Sequence, residues 1–362
     1  MKRTRLLLVG GFLGAGKTTL LWEAARRLIE RGLRVGLITN DQAPDLVDTA
    51  WLAQRGVAVE EVAGSCFCCN FPGLVAAAEN LRQIADADVL IAEPVGSCTD
   101  LSATLMQPLK EKFATELVLS PLSVVVDPKR LRDILSGDTA LHADAVYILR
   151  KQMEEADVLL LNKIDQLGDA EREALVRDAT QDLVGTEIRL VSAQTGQGVD
   201  DWLDDMLARE DAGMHLVEID YDRYANGEAV LGWLNATVRI CCPRPDWQGY
   251  ARRLLEALQG KLADAQAAIG HVKLLITTGG DCCVANLTHL RGKVELRGEI
   301  ARLSDAELTL NARAQMPPAE LESLVKSCLA ETAGDEVVWE IGTCRCFSPG
   351  RPNPTHRYER IV

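Results

Sequence analysis

Aromatic side chains are scarce: they make up 4% of the 362 residues. The core must therefore be aliphatic, as in parallel sheets covered by helices on both faces. Basic side chains are also in short supply, 39 against 53 acidic ones, for a formal charge of −14. Binding along a phosphate backbone relies on clustered Lys and Arg, so this balance excludes a nucleic-acid partner. No apolar run approaches the ~20 residues that a membrane span requires. The opening Lys2, Arg3 and Arg5, followed by an apolar stretch, imitate a signal peptide. That stretch runs straight into Gly-Lys-Thr-Thr and reads better as a strand feeding a phosphate loop, which places the chain in the cytoplasm. Apolar residues at 47% and charged residues at 25% are the proportions of a globular chain, and the length points to two domains.

Cysteine is plentiful. Eleven are present, grouped as Cys66/Cys68/Cys69, Cys241/Cys242, Cys282/Cys283 and Cys344/Cys346, with Cys98 and Cys328 alone. Adjacent cysteines rarely bridge to each other, so metal binding is the more natural reading than a disulfide framework.

From residue 5 to about 208, short apolar runs alternate with helical patterns. Strands are expected at Arg5–Val9, Val35–Thr39, Val57–Val62, Val89–Ala92, Leu122–Val126, Val158–Leu161 and Glu187–Val191. The helix-like stretches between them include Thr18–Arg31, Leu74–Ala85, Ala143–Glu155, Ala170–Asp182 and Val199–Leu207. This alternation predicts an α/β domain with a mainly parallel, doubly wound sheet over residues 1–210. A polar junction at 209–213 separates it from a smaller α+β domain, residues 211–362, for which a ferredoxin-like layer is expected. There, strands Leu231–Cys242 and Val272–Thr277 flank a helix, Trp247–Ala268. Val284–Leu290, Val294–Leu296 and Glu307–Ala314 form a meander, and a helix, Pro318–Ala333, precedes a last strand, Glu336–Ile341.

Gly11-Phe-Leu-Gly14-Ala15-Gly16-Lys17-Thr18 fits G-x-x-x-x-G-K-[ST] between a predicted strand and a predicted helix. In such a loop the backbone N–H groups wrap phosphates, the helix N-terminus favours their charge, and Lys17 reaches the β/γ oxygens. The Thr18 hydroxyl faces Mg²⁺. Asn162-Lys163-Ile-Asp165 follows a buried-type strand. A carboxylate at Asp165 can accept from the N1–H and 2-amino group of guanine, donors that adenine lacks. Ser192-Ala193 ends the next strand. Glu93-Pro94-Val95-Gly96 lies at a strand's C-terminal end, where Glu93 can hold the Mg²⁺ water shell and the Gly96 amide can meet the γ-phosphate. Asp41 is another candidate acid near that metal.

Cys66, Cys68 and Cys69 form a compact, soft ligand set that suits Zn²⁺ and could accept Co²⁺ or Cu⁺. The fourth ligand must come from elsewhere or be water, and an open position suits a site meant to release its ion. A buried cysteine-rich turn or a fixed structural zinc is the plainer alternative. The carboxyl-terminal pairs, with His271, His289 or His356, could build a second soft-metal site if their strand ends converge.

GGFLGAGKTT, CFCC, EPVG and NKID, in that order, closely resemble the CobW family of GTP-binding metallochaperones, related to the GTPases that insert nickel into urease and hydrogenase. The resemblance spans roughly residues 5–208. It implies GTP hydrolysis coupled to delivery of a transition metal, with Cys66, Cys68 and Cys69 on the metal. It also implies that Gly14, Gly16, Lys17, Thr18 and Thr19 cradle phosphate, while Asn162, Lys163 and Asp165 read guanine. The expected partners are GTP and a client metalloprotein or cobalamin-related enzyme. There are departures. Ser65 stands where the family usually has glycine, and Pro44 about where a metal-proximal Glu often stands. No histidine-rich tract is present, so ion storage is not expected. No Gln or Arg activator of the catalytic water is evident, so slow hydrolysis, speeded by a partner or a homodimer, is expected. The runner-up is an assembly or reactivation switch in which the cysteines hold structural zinc. A third class, a P-loop kinase acting on a small metabolite, is disfavoured by N-K-x-D.

Overall fold

The computed structural model describes residues 3–43 and 47–362; Pro44, and with it the expectation attached to that position, lies outside them. The first sheet is built from β1 (Thr4–Gly10), β2 (Val35–Asp41), β3 (Ala58–Ala63), β4 (Val89–Glu93), β5 (Leu117–Leu119), β6 (Ser123–Val126), β7 (Val158–Leu161) and β8 (Glu187–Leu190). Its order is β3-β2-β4-β1-β6-β7-β8, and every pairing is parallel. β5 pairs the first half of β1 while β6 pairs its last two residues. Strands β1, β2, β4, β6 and β7 are buried almost throughout, the signature of a sheet covered on both faces.

Helices α1 (Lys17–Glu30), α2 (Val47–Ala53), α3 (Phe71–Ile84), α4 (Gln107–Phe113), α5 (Pro128–Ser136), α6 (Ala143–Glu154), α7 (Asp169–Asp182) and α8 (Val199–Ala208) supply that cover. α5 starts where Asp127 accepts from the N–H groups of Lys129 and Arg130, with Pro128 at its first position. Helix α9 (Tyr221–Ala229) follows the polar junction yet packs on α6, and Asp157 accepts from the N–H groups of Gly213 and Met214. The chain leaves the first layer only at Gly232.

The second sheet contains β9 (Gly232–Cys241), β10 (Ile269–Thr278), β11 (Asp281–Leu287), β12 (Glu295–Arg297), β13 (Asp305–Ala314) and β14 (Val338–Phe347) in the order β12-β11-β10-β13-β9-β14, all antiparallel. With α10 (Trp247–Asp264) after β9 and α11 (Pro318–Ala333) after β13, this is the split βαβ arrangement of ferredoxin-like layers, extended at one edge by β11–β12. The last strand runs beyond the expected Ile341 because its pairing with β9 shifts register between Ile341 and Thr343 and then continues.

Strand alternation gives this sheet two unlike faces. Leu234, Ala236, Val238, Leu274, Ile276, Cys283, Leu308 and Leu310 face one core with α10 and α11. The alternate positions, including Asn235, His271, Lys273, Asn286, Thr288 and Arg313, face the first sheet's loops. They carry polar groups where an isolated layer would meet water.

Candidate functional site: a phosphate loop roofed by the second sheet

The P-loop lies at the C-terminal end of β1. Gly16 has φ +95°, and a Cβ there would come within 2.5 Å of the Asn162 amide nitrogen, so glycine is required on both counts. Lys17 and Thr18 open α1 and are buried. The Thr18 hydroxyl lies 3.1 Å from Glu93 Oε2, and Lys17 Nζ lies 3.7 Å from Glu93 Oε1. Burial pushes the Lys17 ammonium down and the Glu93 carboxyl up, and each charge partly offsets the other's shift. A hydroxyl beside a carboxylate at a helix N-terminus is an oxygen donor set that fits Mg²⁺. Gly96 packs its Cα against Leu13 of the P-loop, which leaves no room for a side chain.

The loops after β7 and β8 are tied to the same place. Asn162 Nδ2 donates to the Ala15 carbonyl at 2.9 Å, and its Oδ1 accepts from the Ala193 N–H at 2.9 Å. Lys163, in the left-handed region at φ +58°, spans the Gly14 carbonyl at 3.0 Å and Asp127 at 2.8 Å. Ser192 Oγ donates to Asp165 Oδ1 at 2.6 Å. Gly16, Thr19, Asn162, Lys163, Asp165 and Ala193 therefore line one hollow beside the P-loop, with Ser192 just behind Asp165. Gly11 sits below it, pressed against the Val125 backbone.

The second sheet forms the roof, which sequence reasoning missed. Lys273 Nζ reaches Asp48 at 2.6 Å and the Thr18 hydroxyl at 3.4 Å. Arg297 donates to Thr19 Oγ1 at 3.1 Å, and Asp165 is a charged neighbour. Arg130 donates to three carbonyls of the roof, those of Ile269, Gly270 and Thr288. His271 is buried there. Desolvation, reinforced by Lys273, Arg313, Lys17 and Arg130, holds it well below the usual imidazole value, so it is neutral. A strongly acidic chain thus places Lys17, Lys163, Lys273 and Arg297 around the phosphate loop.

Asp41 is the counter-ion of Arg313 at 2.7 Å, buried on both sides, which accounts for the acid expected near the nucleotide metal. Its neighbour Asn40 points the other way, at the cysteine loop. Asn40 Nδ2 donates to the Val62 carbonyl at 2.7 Å and the Ser65 carbonyl at 2.8 Å, and Oδ1 accepts from the Phe67 N–H at 2.8 Å. One amide side chain at the end of β2 therefore sets the geometry of the loop.

In that loop the thiols of Cys66, Cys68 and Cys69 lie within 4.8 Å of one another, the one such cluster of possible ligands among the described residues. Cys66 and Cys68 are buried, and Cys69 is half-buried against the Asn353 N–H of the carboxyl-terminal segment. The loop leads directly into α3, whose N-terminal N–H groups favour negative charge. The thiols share their protons unequally. Hydrogen bonds donated by Cys68 and Cys69 hold Cys66 well below the ordinary thiol value, while donating to Cys66 pushes Cys69 up to about 11.

The carboxyl-terminal cysteine pairs do not gather. Cys282/Cys283 on β11 and Cys344/Cys346 on β14 are separated by β10, β13 and β9, and in the 241/242 and 282/283 pairs one member, Cys242 or Cys283, belongs to the apolar core. His271 lies under the phosphate loop, His289 near Asp127, and His356 against Phe71. The expectation of a second converged thiol site fails because β11 is separated from β9 by β10 and β13, and on the paired strands β9 and β14 the register sets Cys241 opposite Val338 but Cys344 and Cys346 opposite Ala236 and Leu234.

The part of the chain that carries the phosphate loop and the thiol cluster has relatives among known proteins. The model of the CobW/HypB/UreG nucleotide-binding domain matches residues 5–188, half of the chain. The chain belongs to this family. Among curated relatives, the zinc chaperone YeiR of Escherichia coli is 29% identical over 198 residues, covering 54% of this chain and 56% of its own length. The zinc chaperone CobW of Pseudomonas aeruginosa is 28% identical over 228 residues, covering 52% and 56%. The chain thus matches little more than half the length of these relatives. A crystal structure of zinc-bound YjiA GTPase from E. coli aligns over 91% of this chain and 99% of that one, at 15% identity and a TM-score of 0.35. Among the described residues, no helix is long and apolar enough to cross a membrane.

Proposed function

We propose that this CobW/HypB/UreG-family chain is a GTP-hydrolysing metallochaperone that carries Zn²⁺ or Co²⁺ on Cys66, Cys68 and Cys69 to a client metalloprotein. The observation that carries the reading is the Asn40 clamp. Strand β2 ends in Asn40 and Asp41, both in the wall of the phosphate cavity, and Asn40 alone makes three hydrogen bonds to the thiol loop. A shift of β2's end on nucleotide exchange moves the metal ligands.

In this reading Gly11, Gly14, Ala15, Gly16, Lys17, Thr18 and Thr19 hold the phosphates. Asn162, Lys163, Asp165, Ser192 and Ala193 position and read guanine. Thr18 and Glu93 hold Mg²⁺, which neutralises developing charge on the phosphate oxygens when bound. Water attacks the γ-phosphorus and the bond to the β-phosphate oxygen breaks, giving GDP and phosphate. Loss of the contact between the γ-phosphate and the Gly96 amide then relaxes the loop from Glu93 to Gly96. Lys273 and Arg297 add positive charge to that of Lys17 and Lys163 around the phosphates. Residues 1–210 act as the nucleotide domain. Residues 211–362 supply its roof and offer a surface to the client or to a second copy. All eleven cysteines are unpaired, consistent with residence in the reducing cytoplasm.

The test is competitive Zn²⁺ and Co²⁺ binding with Mg²⁺ present, in GDP and in a non-hydrolysable GTP analogue, for wild type and Cys68→Ser. Affinity that depends on the nucleotide and is lost in Cys68→Ser is the expected result. Equal affinity in both nucleotide states refutes the coupling and makes the metal structural.

A further inference from the structure

One segment remains unused by this mechanism. Residues 348–358, after β14, form neither helix nor strand, and of these only Pro349 and Pro352 are buried. The segment is fixed at both ends all the same. Ser348 Oγ donates to the Ala229 carbonyl at 3.2 Å and Arg351 pairs with Asp222, both on α9. At the other end, Arg357 Nε donates to Asp100 Oδ2 at 2.7 Å, and the Tyr358 N–H donates to the Ala103 carbonyl at 3.0 Å. Asp100 is 1% exposed, so this second anchor reaches into the core.

Between the two anchors the segment crosses the cysteine loop. The Asn353 N–H donates to Cys69 Sγ at 3.2 Å, the Thr355 N–H to the Cys68 carbonyl at 2.8 Å, and Thr355 Oγ1 to the Cys69 carbonyl at 3.2 Å. The sequence there is Pro352-Asn353-Pro354-Thr355. Proline has no N–H, so Asn353 and Thr355 carry the backbone donors of this run, and both are spent on the cysteine loop. Each proline fixes its own φ, and Pro354 also biases Asn353 toward an extended backbone, so the run is stiff and loses little freedom on lying down. His356 follows, its ring 5.0 Å from that of Phe71, the first residue of α3. Cys66 and Cys68 are buried and Cys69 is half-buried, so the crossing lies over the open side of the thiol cluster.

We infer that residues 352–357 belong to the metal site as a strap: Asn353 and Thr355 are positioning residues that hold Cys69 and Cys68 in place, and the strap lifts from Cys69 before the ion passes to a client. The inference rests on the metal-carrying reading of the cysteine loop and deepens it. One N–H on the sulfur and two donors on the loop's carbonyls fix the most exposed of the three thiols toward its neighbours. The Asp100 anchor stands four residues beyond Gly96, on the same loop after β4. Relaxing that loop when the γ-phosphate is lost shifts Asp100, slackens Arg357 and frees the strap. Asn40 then acts on the cysteine loop from the strand side and the strap from the solvent side.

Hydrogen exchange on the full chain, followed through peptides covering residues 350–358, tests this without a variant. Zinc should slow exchange of the Asn353 and Thr355 amides about tenfold. Equal exchange with and without zinc overturns the inference, because a segment that only holds the fold together is indifferent to the metal. Zinc release into an excess of chromophoric chelator is the second measurement. Thr355→Val keeps the side chain's size, loses the bond to the Cys69 carbonyl and should speed release about fivefold. Arg357→Gln loosens the anchor and should speed it about tenfold, with Arg357→Gln/Asp100→Asn as the variant that leaves no buried acid stranded. Release at the wild-type rate in all three, with circular dichroism unchanged, overturns the strap. Cys68→Ser separates the two levels. If that variant holds zinc as the wild type does, the cysteine-loop reading itself is wrong, whereas zinc lost in Cys68→Ser but released at one rate from every strap variant removes only the strap.

Discussion

Replacing Asn40 by alanine tests the link between nucleotide and metal most directly. Asn40 is 6% exposed and makes three hydrogen bonds of 2.7–2.8 Å to the backbone from Val62 to Phe67. At roughly 1 kcal/mol net per bond, their loss removes about 3 kcal/mol from the ordered loop. The free loop can relax and the metal-bound loop cannot, so most of that cost falls on binding. With 1.4 kcal/mol per factor of ten, zinc affinity should drop about 100-fold. Water filling part of the vacated space would still leave a loss of about tenfold. Asn40→Asp should do no better: it keeps the acceptor for Phe67 but turns a carboxylate toward the carbonyls of Val62 and Ser65. The assay is zinc competition against a chromophoric chelator at saturating nucleotide, with urea unfolding as the control for global damage. In a Cys68→Ser background the Asn40→Ala effect on zinc should vanish. Zinc affinity within threefold of wild type, in a variant that is otherwise folded, would refute the argument.

Arg313→Met should destabilise the protein by about 3–5 kcal/mol, because it strands Asp41 in a buried site; adding Asp41→Asn should recover much of this, and urea midpoints that fail to recover refute the pairing. Glu155, wholly buried against Thr99 and Ser102, has its carboxyl raised by desolvation to about 8, above its unfolded value of 4.5. Its contribution is therefore fully present below pH 4.5 and is lost as pH rises toward 8, at up to about 1.4 kcal/mol per pH unit, and Glu155→Gln should flatten the pH dependence of stability in that window. Arg297→Ala removes a charge-assisted contact to Thr19 and should weaken GTP binding about tenfold; isothermal titration showing unchanged affinity would deny the roof a role in holding nucleotide.

How much of this was legible follows from how local each feature is. The parallel sheet was readable because β1, β2, β4, β6 and β7 are short aliphatic runs punctuated by glycine and helical patterns. Short elements with weak periodicity, such as α2, α4, β5 and α9, were not singled out. They are set by packing: α9 gains its place from α6, not from its own polar sequence. The last strand was cut short at Ile341 because a register shift at Gly342, pressed against Thr237, carries the pairing onward.

The sequence by itself determined the motifs whose chemistry is contiguous. A phosphate loop needs its glycines, lysine and threonine within eight residues, and a thiol cluster within four residues must stay together however the chain folds. The tertiary structure decided everything that depends on which strand ends are neighbours. The order β3-β2-β4-β1 sets the end of β2, with Asn40 and its cysteine loop, beside Glu93 at the end of β4, 53 residues further along the sequence. Strand alternation gives the second sheet a polar face, and only the tertiary structure shows what that face covers. Only packing aimed Lys273 and Arg297 at the phosphate loop, set Arg313 against Asp41, and left the carboxyl-terminal cysteine pairs at separate places in the second sheet.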